Sequence, residues 1–165
     1  MAEQNGSATL VREATEGDLL RIAEIYKNCF PSEQRHRLWV ESSYNSRPRG
    51  VYYVQSNNGN ICGYILWCVK NGFRESTILE LEQIGVDPAY AGKGFGKTLI
   101  AESLAKFVEH VESLGCNGGA IIVTTNASNH ARKIYETTLD VREVARISGY
   151  GSGDEIILFR KLKPT

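Results

Sequence analysis

Apolar positions recur along this chain in two alternating rhythms, and the switches between them lay out its elements. Ala8 to Glu13 reads as a short opening strand. Thr15 then stands as a helix cap with Asp18 three residues on, the spacing of a capping box. Behind it Leu19, Ile22, Ala23, Tyr26, Cys29 and Phe30 recur at three and four, one face of a helix over Glu16 to Phe30. Pro31 interrupts, and a weaker helical pattern covers Ser32 to Tyr44, before a break at Arg47-Pro48-Arg49-Gly50. Val51 to Gln55, Ile61 to Lys70 and Ser76 to Val86 then read as three strands of an antiparallel meander, punctuated by Asn58-Gly59 and Asn71-Gly72.

Asp87-Pro88 stops the third of these strands. A glycine-rich segment, Gly92-Lys93-Gly94-Phe95-Gly96, leads into a long amphipathic helix to about Leu114, with Leu99, Ile100, Leu104, Phe107, Val108 and Val111 as its buried stripe. Gly115 suits the position just past its end. Ala120 to Thr125 has the unbroken apolar character of a strand buried on both faces. Asn126, Ser128 and Asn129 offer caps for a helix carrying Ala131, Ile134 and Tyr135, and Val141 to Ile147 and Glu155 to Leu162 close the chain as two strands. The pattern predicts an α/β domain: a mixed, mostly antiparallel sheet of about seven strands flanked by four helices.

Composition narrows the field. At 165 residues the chain has the length of one domain, with residues 1–7 expected to be flexible. Lys plus Arg and Asp plus Glu are both 19, so no net charge draws it onto nucleic acid or an anionic membrane. The N-terminal residues have neither the basic nor the apolar region of an export signal, and the longest apolar stretch, Ile61 to Val69, is too short to span a bilayer. A cytoplasmic protein is expected, with Cys29, Cys62, Cys68 and Cys116 reduced. The cysteines form no C-x-x-C pair and the three histidines no H-x-x-x-H pair, so no metal is expected.

The candidate chemistry starts at the glycine-rich turn. A strand, a turn with three glycines in five positions and a helix N-terminus make an anion site: the backbone can approach closely, and the free N–H groups of the first turn point at the ligand. Lys93 and Lys97 add positive charge. Ala91 to Thr98 nearly satisfies the P-loop pattern, with Lys97 for phosphates and Thr98 for magnesium. Yet Asp87 to Tyr90 separates the loop from its strand, no acid follows Ile121 to Thr125, and only 67 residues remain after Thr98. The segment Val86-Asp87-Pro88-x-Tyr90-x-Gly92-Lys93-Gly94-Phe95-Gly96 resembles instead motif A of the GNAT superfamily of N-acetyltransferases, R/Q-x-x-G-x-G/A. Gly94 and Gly96 fill its small-residue positions, and Ala91 replaces the usual Arg or Gln.

The resemblance extends over almost the whole chain. Glu16 to Phe30 looks like the family's first helix, and Ala131-x-x-x-Tyr135-Glu136 like its N-x-x-A-x-x-x-Y-E pattern, with Ser128 at the Asn position and Asn129 one place off. Ser148 to Leu158 resembles the substrate loop and last strand of members that acetylate α-amino groups. The resemblance implies acetyl-CoA as cosubstrate. Its pyrophosphate would lie on Gly92, Lys93, Gly94, Phe95, Gly96, Lys97 and Thr98, its pantetheine along Ile84 and Val86, with Ser128 or Asn129 as side-chain contacts. It also implies direct attack by a primary amine in a ternary complex, with the Val86 N–H polarising the carbonyl and Tyr135 as the acid for the leaving thiolate.

Glu80 and Glu82, two apart on one face of a strand and opposite Leu79 and Leu81, are the candidate bases. Two such carboxylates raise the pKa of one member towards the range a base needs. Tyr150, between glycines, is a candidate substrate contact, and Trp39 and Tyr44 are candidate lining for an acceptor pocket. The acceptor, a small molecule, polyamine, antibiotic or protein terminus, is left open, as is a homodimer. A catalytically inactive acyl-CoA-binding or sensing domain and a P-loop nucleotide-binding protein stand as the alternative functions.

Overall fold

Seven strands form a single sheet in the order β1-β2-β3-β4-β5-β7-β6, described by a computed structural model over residues 8–163. Residues 1–7, expected to be flexible, lie outside the described residues. The strands are β1 (Thr9–Glu13), β2 (Gly50–Asn57), β3 (Asn60–Val69), β4 (Ser76–Val86), β5 (Asn117–Asn126), β6 (Arg142–Ile147) and β7 (Glu155–Lys161). The helices are α1 (Leu19–Cys29), α2 (His36–Tyr44), α3 (Phe95–Ser113) and α4 (Arg132–Leu139). β4 and β5 run parallel; every other neighbouring pair is antiparallel. The predicted meander is β2-β3-β4. A mostly antiparallel sheet is not the parallel sheet of a P-loop protein, so that alternative falls.

Alternation along the strands sends side chains to two cores, one on each face. Ile22, Ile25 and Tyr26 of α1 and Val40 of α2 pack on Tyr52, Val54, Tyr64 and Leu66. Leu99, Ile100, Phe107 and Val111 of α3 and Tyr135 and Leu139 of α4 pack on Ile65, Trp67, Leu79, Leu81, Ile121 and Val123. The buried Trp67 stacks on Phe107 and donates its indole N–H to Ser103 Oγ at 2.8 Å, satisfying two polar groups inside the apolar layer.

Two predicted boundaries move. The Glu16–Phe30 helix begins as a short 3-10 turn, Glu16–Asp18, and the capping box of Thr15 and Asp18 is present. Asp18 is buried and takes two hydrogen bonds from Arg12, at 2.7 and 3.0 Å. The helix expected over Ser32 to Tyr44 is confined to His36–Tyr44, because Arg35 adopts a left-handed conformation (φ 55°) that ends any helix before it.

β5 departs from its expected burial. Its pairing with β4 runs only from Ser76 opposite Asn117 to Glu80 opposite Ile122. Beyond that point the two strands separate, so Ile122 is only half-buried and Thr124 is exposed. On its other edge β5 stays paired with β7 along its length, from Ala120 to Asn126.

Candidate active site

The parting of β4 from β5 is the central feature of the site. It opens a groove of about 480 Å³ whose walls include Leu81, Glu82 and Ile84 from β4 and Val123 and Thr124 from β5. Tyr135 from α4, Asn129 before it and Tyr150 in the β6–β7 loop complete the lining. A bulge coincides with the parting: Trp67 of β3 lies opposite Leu81 and Leu66 opposite Gln83, leaving Glu82 without a partner. The extra residue shifts the alternation, so Ile84 joins Leu79 and Leu81 on the α3 side. One close approach fixes β4 here. A Cβ on Gly85 would lie 2.6 Å from the Tyr64 ring, so only glycine fits that position.

At the end of β4 the chain enters the glycine-rich turn. Asp87 accepts from the Ala89 N–H at 3.0 Å and pairs with Arg21 of α1. The Ala89 bond, with Arg21 assisting, holds the Asp87 carboxyl below its ordinary range. This anchor ties the base of the loop to the α1 layer. Gly92 (φ 74°) and Gly94 (φ 79°) take the left-handed backbone that turns the chain into α3. The first helical bond runs from Thr98 N–H to Gly94 O. Among the described residues no hydrogen bond is made by the backbone N–H groups of Gly92, Lys93, Gly94, Phe95, Gly96 and Lys97. Those donors, at the positive end of a 19-residue helix, form an anion cradle beside the groove.

The two glutamates occupy different surroundings. Glu80 is buried; its Oε1 takes a hydrogen bond from Lys70 Nζ at 3.1 Å, and its Oε2 is buried with no donor among the described residues. Glu82 stands exposed at the bulge. Partial desolvation of its carboxyl pushes its pKa up, with the neighbouring Glu80 charge adding to the rise, against the charges of Lys70 and Arg49.

Tyr135 is buried, and among the described residues its hydroxyl makes no hydrogen bond. Burial pushes its pKa up to about 12, so the phenol keeps its proton at neutral pH. Asn129 lines the groove and is pinned there: its Nδ2 donates to Thr125 Oγ1 at 2.7 Å and its Oδ1 accepts the Ala131 N–H at 2.9 Å, capping the approach to α4. Ser128 turns its hydroxyl back to Asn126 Oδ1 at 2.6 Å and lines an adjoining surface groove with Ser152 and Asp154. Tyr150 is 60% exposed at the groove's rim.

On the opposite side of Glu82 lies a second, smaller cavity of about 190 Å³ between α2 and the sheet. Trp39, Ser42, Ser46, Arg49 and Cys68 line it, and Glu82 lines both cavities. Tyr44, a candidate for this lining, is packed instead against the core between α1, α2 and the sheet. Pattern reading does not single out Arg49 or the α2 serines, whose partner in the site is a strand more than 30 residues away; nothing local marks them. The described residues contain no group of three His, Cys, Asp or Glu side chains able to hold a metal, and no helix long and apolar enough to cross a membrane. Cys29, Cys62, Cys68 and Cys116 are free thiols.

A mixed sheet with one parted parallel pair is followed here by a turn of N–H groups unpaired among the described residues, at the start of a long helix. The chain belongs to the acetyltransferase (GNAT) family, whose model matches residues 19–140. Among curated proteins it is similar to the N-acetylaspartate synthetase of Xenopus tropicalis, at 28% identity over 98 residues. That match takes in 59% of this chain and a third (33%) of the length of the relative. Among solved structures it is similar to the ribosomal-protein-S18-alanine N-acetyltransferase of Escherichia coli (TM-score 0.73, 20% identity, 96% of each chain). It is also similar to Arabidopsis thaliana NAA60 in complex with acetyl-CoA (TM-score 0.74, 17% identity, 94% of this chain and 99% of the other).

Proposed function

We propose that this protein transfers an acetyl group from acetyl-CoA to a primary amine, by direct attack within a ternary complex. The observation that carries the reading is the groove between the parted strands, which has the anion cradle beside it and both Glu82 and Tyr135 on its walls. The names of the Xenopus and Escherichia coli relatives each place an acetyl group on nitrogen, which supports the same class of reaction.

The residues fit acetyl-CoA. The N–H groups of Gly92 to Lys97, with Lys93 and Lys97, suit the pyrophosphate, and Thr98 follows them on the first turn of α3. The edge of β4 at Ile84 and Val86, unpaired by β5, suits the amide-bearing pantetheine as an added strand does. Asn129 rather than Ser128 faces the groove, so Asn129 is the better side-chain contact. Bound there, acetyl-CoA supplies an activated thioester.

The protein's own groups handle the protons. An amine with an ordinary pKa arrives as ammonium, and Glu82, with its raised pKa, takes that proton directly or through water. Glu80 lies beside it on β4, paired with Lys70. The Val86 N–H polarises the carbonyl oxygen, and Tyr135 gives a proton to the departing sulfur. Tyr150 contacts the acceptor at the rim.

Calorimetric titration with acetyl-CoA, CoA and Mg-ATP tests the cofactor, and a panel of amines tests turnover. Binding of acetyl-CoA and CoA but not ATP, with CoA released on some amine, is expected. Cofactor binding with no turnover on any amine would favour a sensing domain instead.

A further inference from the structure

The second cavity carries information about the acceptor. At about 190 Å³ it is smaller than the roughly 300–1,000 Å³ of pockets that hold drug-sized ligands, so the portion of an acceptor it encloses is small. Its walls hold opposite charges: Glu82 on the sheet side, where the cavity meets the groove, and Arg49 in the turn just before β2. The two are close enough for the Arg49 charge to act on the Glu82 carboxyl. Arg49 is held in place by one bond, from Nε to the carbonyl of Val69 at 3.2 Å. Its two terminal nitrogens make no hydrogen bond among the described residues, leaving a guanidinium fork free for a planar anion.

The remaining polar lining sorts by proton bookkeeping. Ser42 donates its hydroxyl proton to the Trp39 carbonyl at 3.0 Å, and Ser46 donates its own to the Ser43 carbonyl at 2.6 Å. Both oxygens therefore offer lone pairs rather than protons to a ligand, which suits an ammonium and not a carboxylate. Lys70, the other nearby cation, is engaged with Glu80. Arg49 is thus the cavity's cationic donor for an anion, beside the neutral Trp39 and Ser43 side chains, and Glu82 with the Ser42 and Ser46 oxygens is its receptor for a cation. A polyamine or aminosugar would bring further positive charge against Arg49, with Glu82 already engaged by the reacting nitrogen.

We infer that the acceptor is a small amino acid, an amine that carries a carboxylate, whose nitrogen lies against Glu82 and whose carboxylate is gripped by Arg49. The inference rests on the acetyltransferase reading above and specifies its substrate. The amine then stands at the one side chain shared by the cavity and the groove.

The test compares free amino acids with their own amides, which keep the amine and lose the negative charge. Glycine, alanine and β-alanine are each assayed beside the corresponding amide, with spermidine and a short peptide, at saturating acetyl-CoA by CoA release. A free amino acid should exceed its amide by about tenfold or more in kcat/KM, the scale of one charged hydrogen-bonded contact. In Arg49→Met that preference should collapse towards parity through KM rather than kcat, while Arg49→Lys keeps part of it. CoA affinity, measured on each variant, confirms that the fold persists. Preferred turnover of amides, spermidine or the peptide would overturn the amino-acid assignment and leave the acetyltransferase reading standing. CoA binding with no turnover of any amine would overturn both.

Discussion

Glu80 of β4 lies opposite Ile122 of β5 in the last register pair of the sheet's one parallel junction. Two residues on, the bulge at Glu82 turns what would be an ordinary central strand into a wall of the groove. Bulge and parting together keep a carboxylate with a raised pKa on the sheet without sealing it inside.

Glu82 sets the acid side of the pH profile. Its pKa lies above 4.5, so kcat/KM should fall as pH drops through the raised value, and Glu82→Gln should lower the rate and remove that limb. Stability moves the other way. Because the folded state holds this proton more tightly than the unfolded chain, stability is fully present below pH 4.5 and is lost as pH rises through the folded pKa. Glu82→Gln should therefore raise Tm at pH 8 and have little effect at pH 4. An unchanged pH profile would remove Glu82 as the base.

Tyr135→Phe separates chemistry from structure. The hydroxyl makes no hydrogen bond among the described residues, so its loss should cost little stability, while the ring continues to fill the core. Turnover should fall by about 100-fold or more, the range for loss of a general acid, with acetyl-CoA affinity nearly unchanged. A mutant with full rate on a good acceptor would exclude the acid role.

The two loop glycines should respond differently. Gly94 has φ 79°, where a side chain costs about 1–2 kcal/mol, so Gly94→Ala should lower stability and weaken CoA binding together. Gly96 lies within α3, and an added Cβ would meet its nearest neighbour, Val86, at an ordinary 3.8 Å. Gly96→Ala should fold as well as the parent, and thermal melts beside CoA titrations check both.

Away from the groove, Asp18 joins β1 to the start of α1. The hydrogen bonds from Arg12, aided by Thr15, hold its carboxyl below 3.8 despite burial. The stability this provides is present above pH 3.8 and is lost as pH falls through the lower, folded value. Asp18→Asn should destabilise the protein by about 1–3 kcal/mol at pH 7 and by less near pH 3, as urea melts at the two pH values would show.

Local pattern was enough for the order of elements, because amphipathic periodicity and turn residues act over a few positions. It was also enough for the anion loop, since Gly92, Gly94 and the N-terminus of α3 are contiguous in the chain. Glu80, Glu82 and Tyr135 could be nominated on residue type and family resemblance. What local pattern could not supply was register. The placement of β7 between β5 and β6, the bulge that leaves Glu82 unpaired, and the end of pairing at Ile122 depend on strands distant in sequence. Arg49 carries no local signal; it joins Glu82 only because β2, β3 and β4 lie side by side and α2 folds over them. Short-range sterics and hydrogen bonding wrote the elements into the chain, whereas the charges that meet in the site were chosen by which long-range pairings buried the two cores.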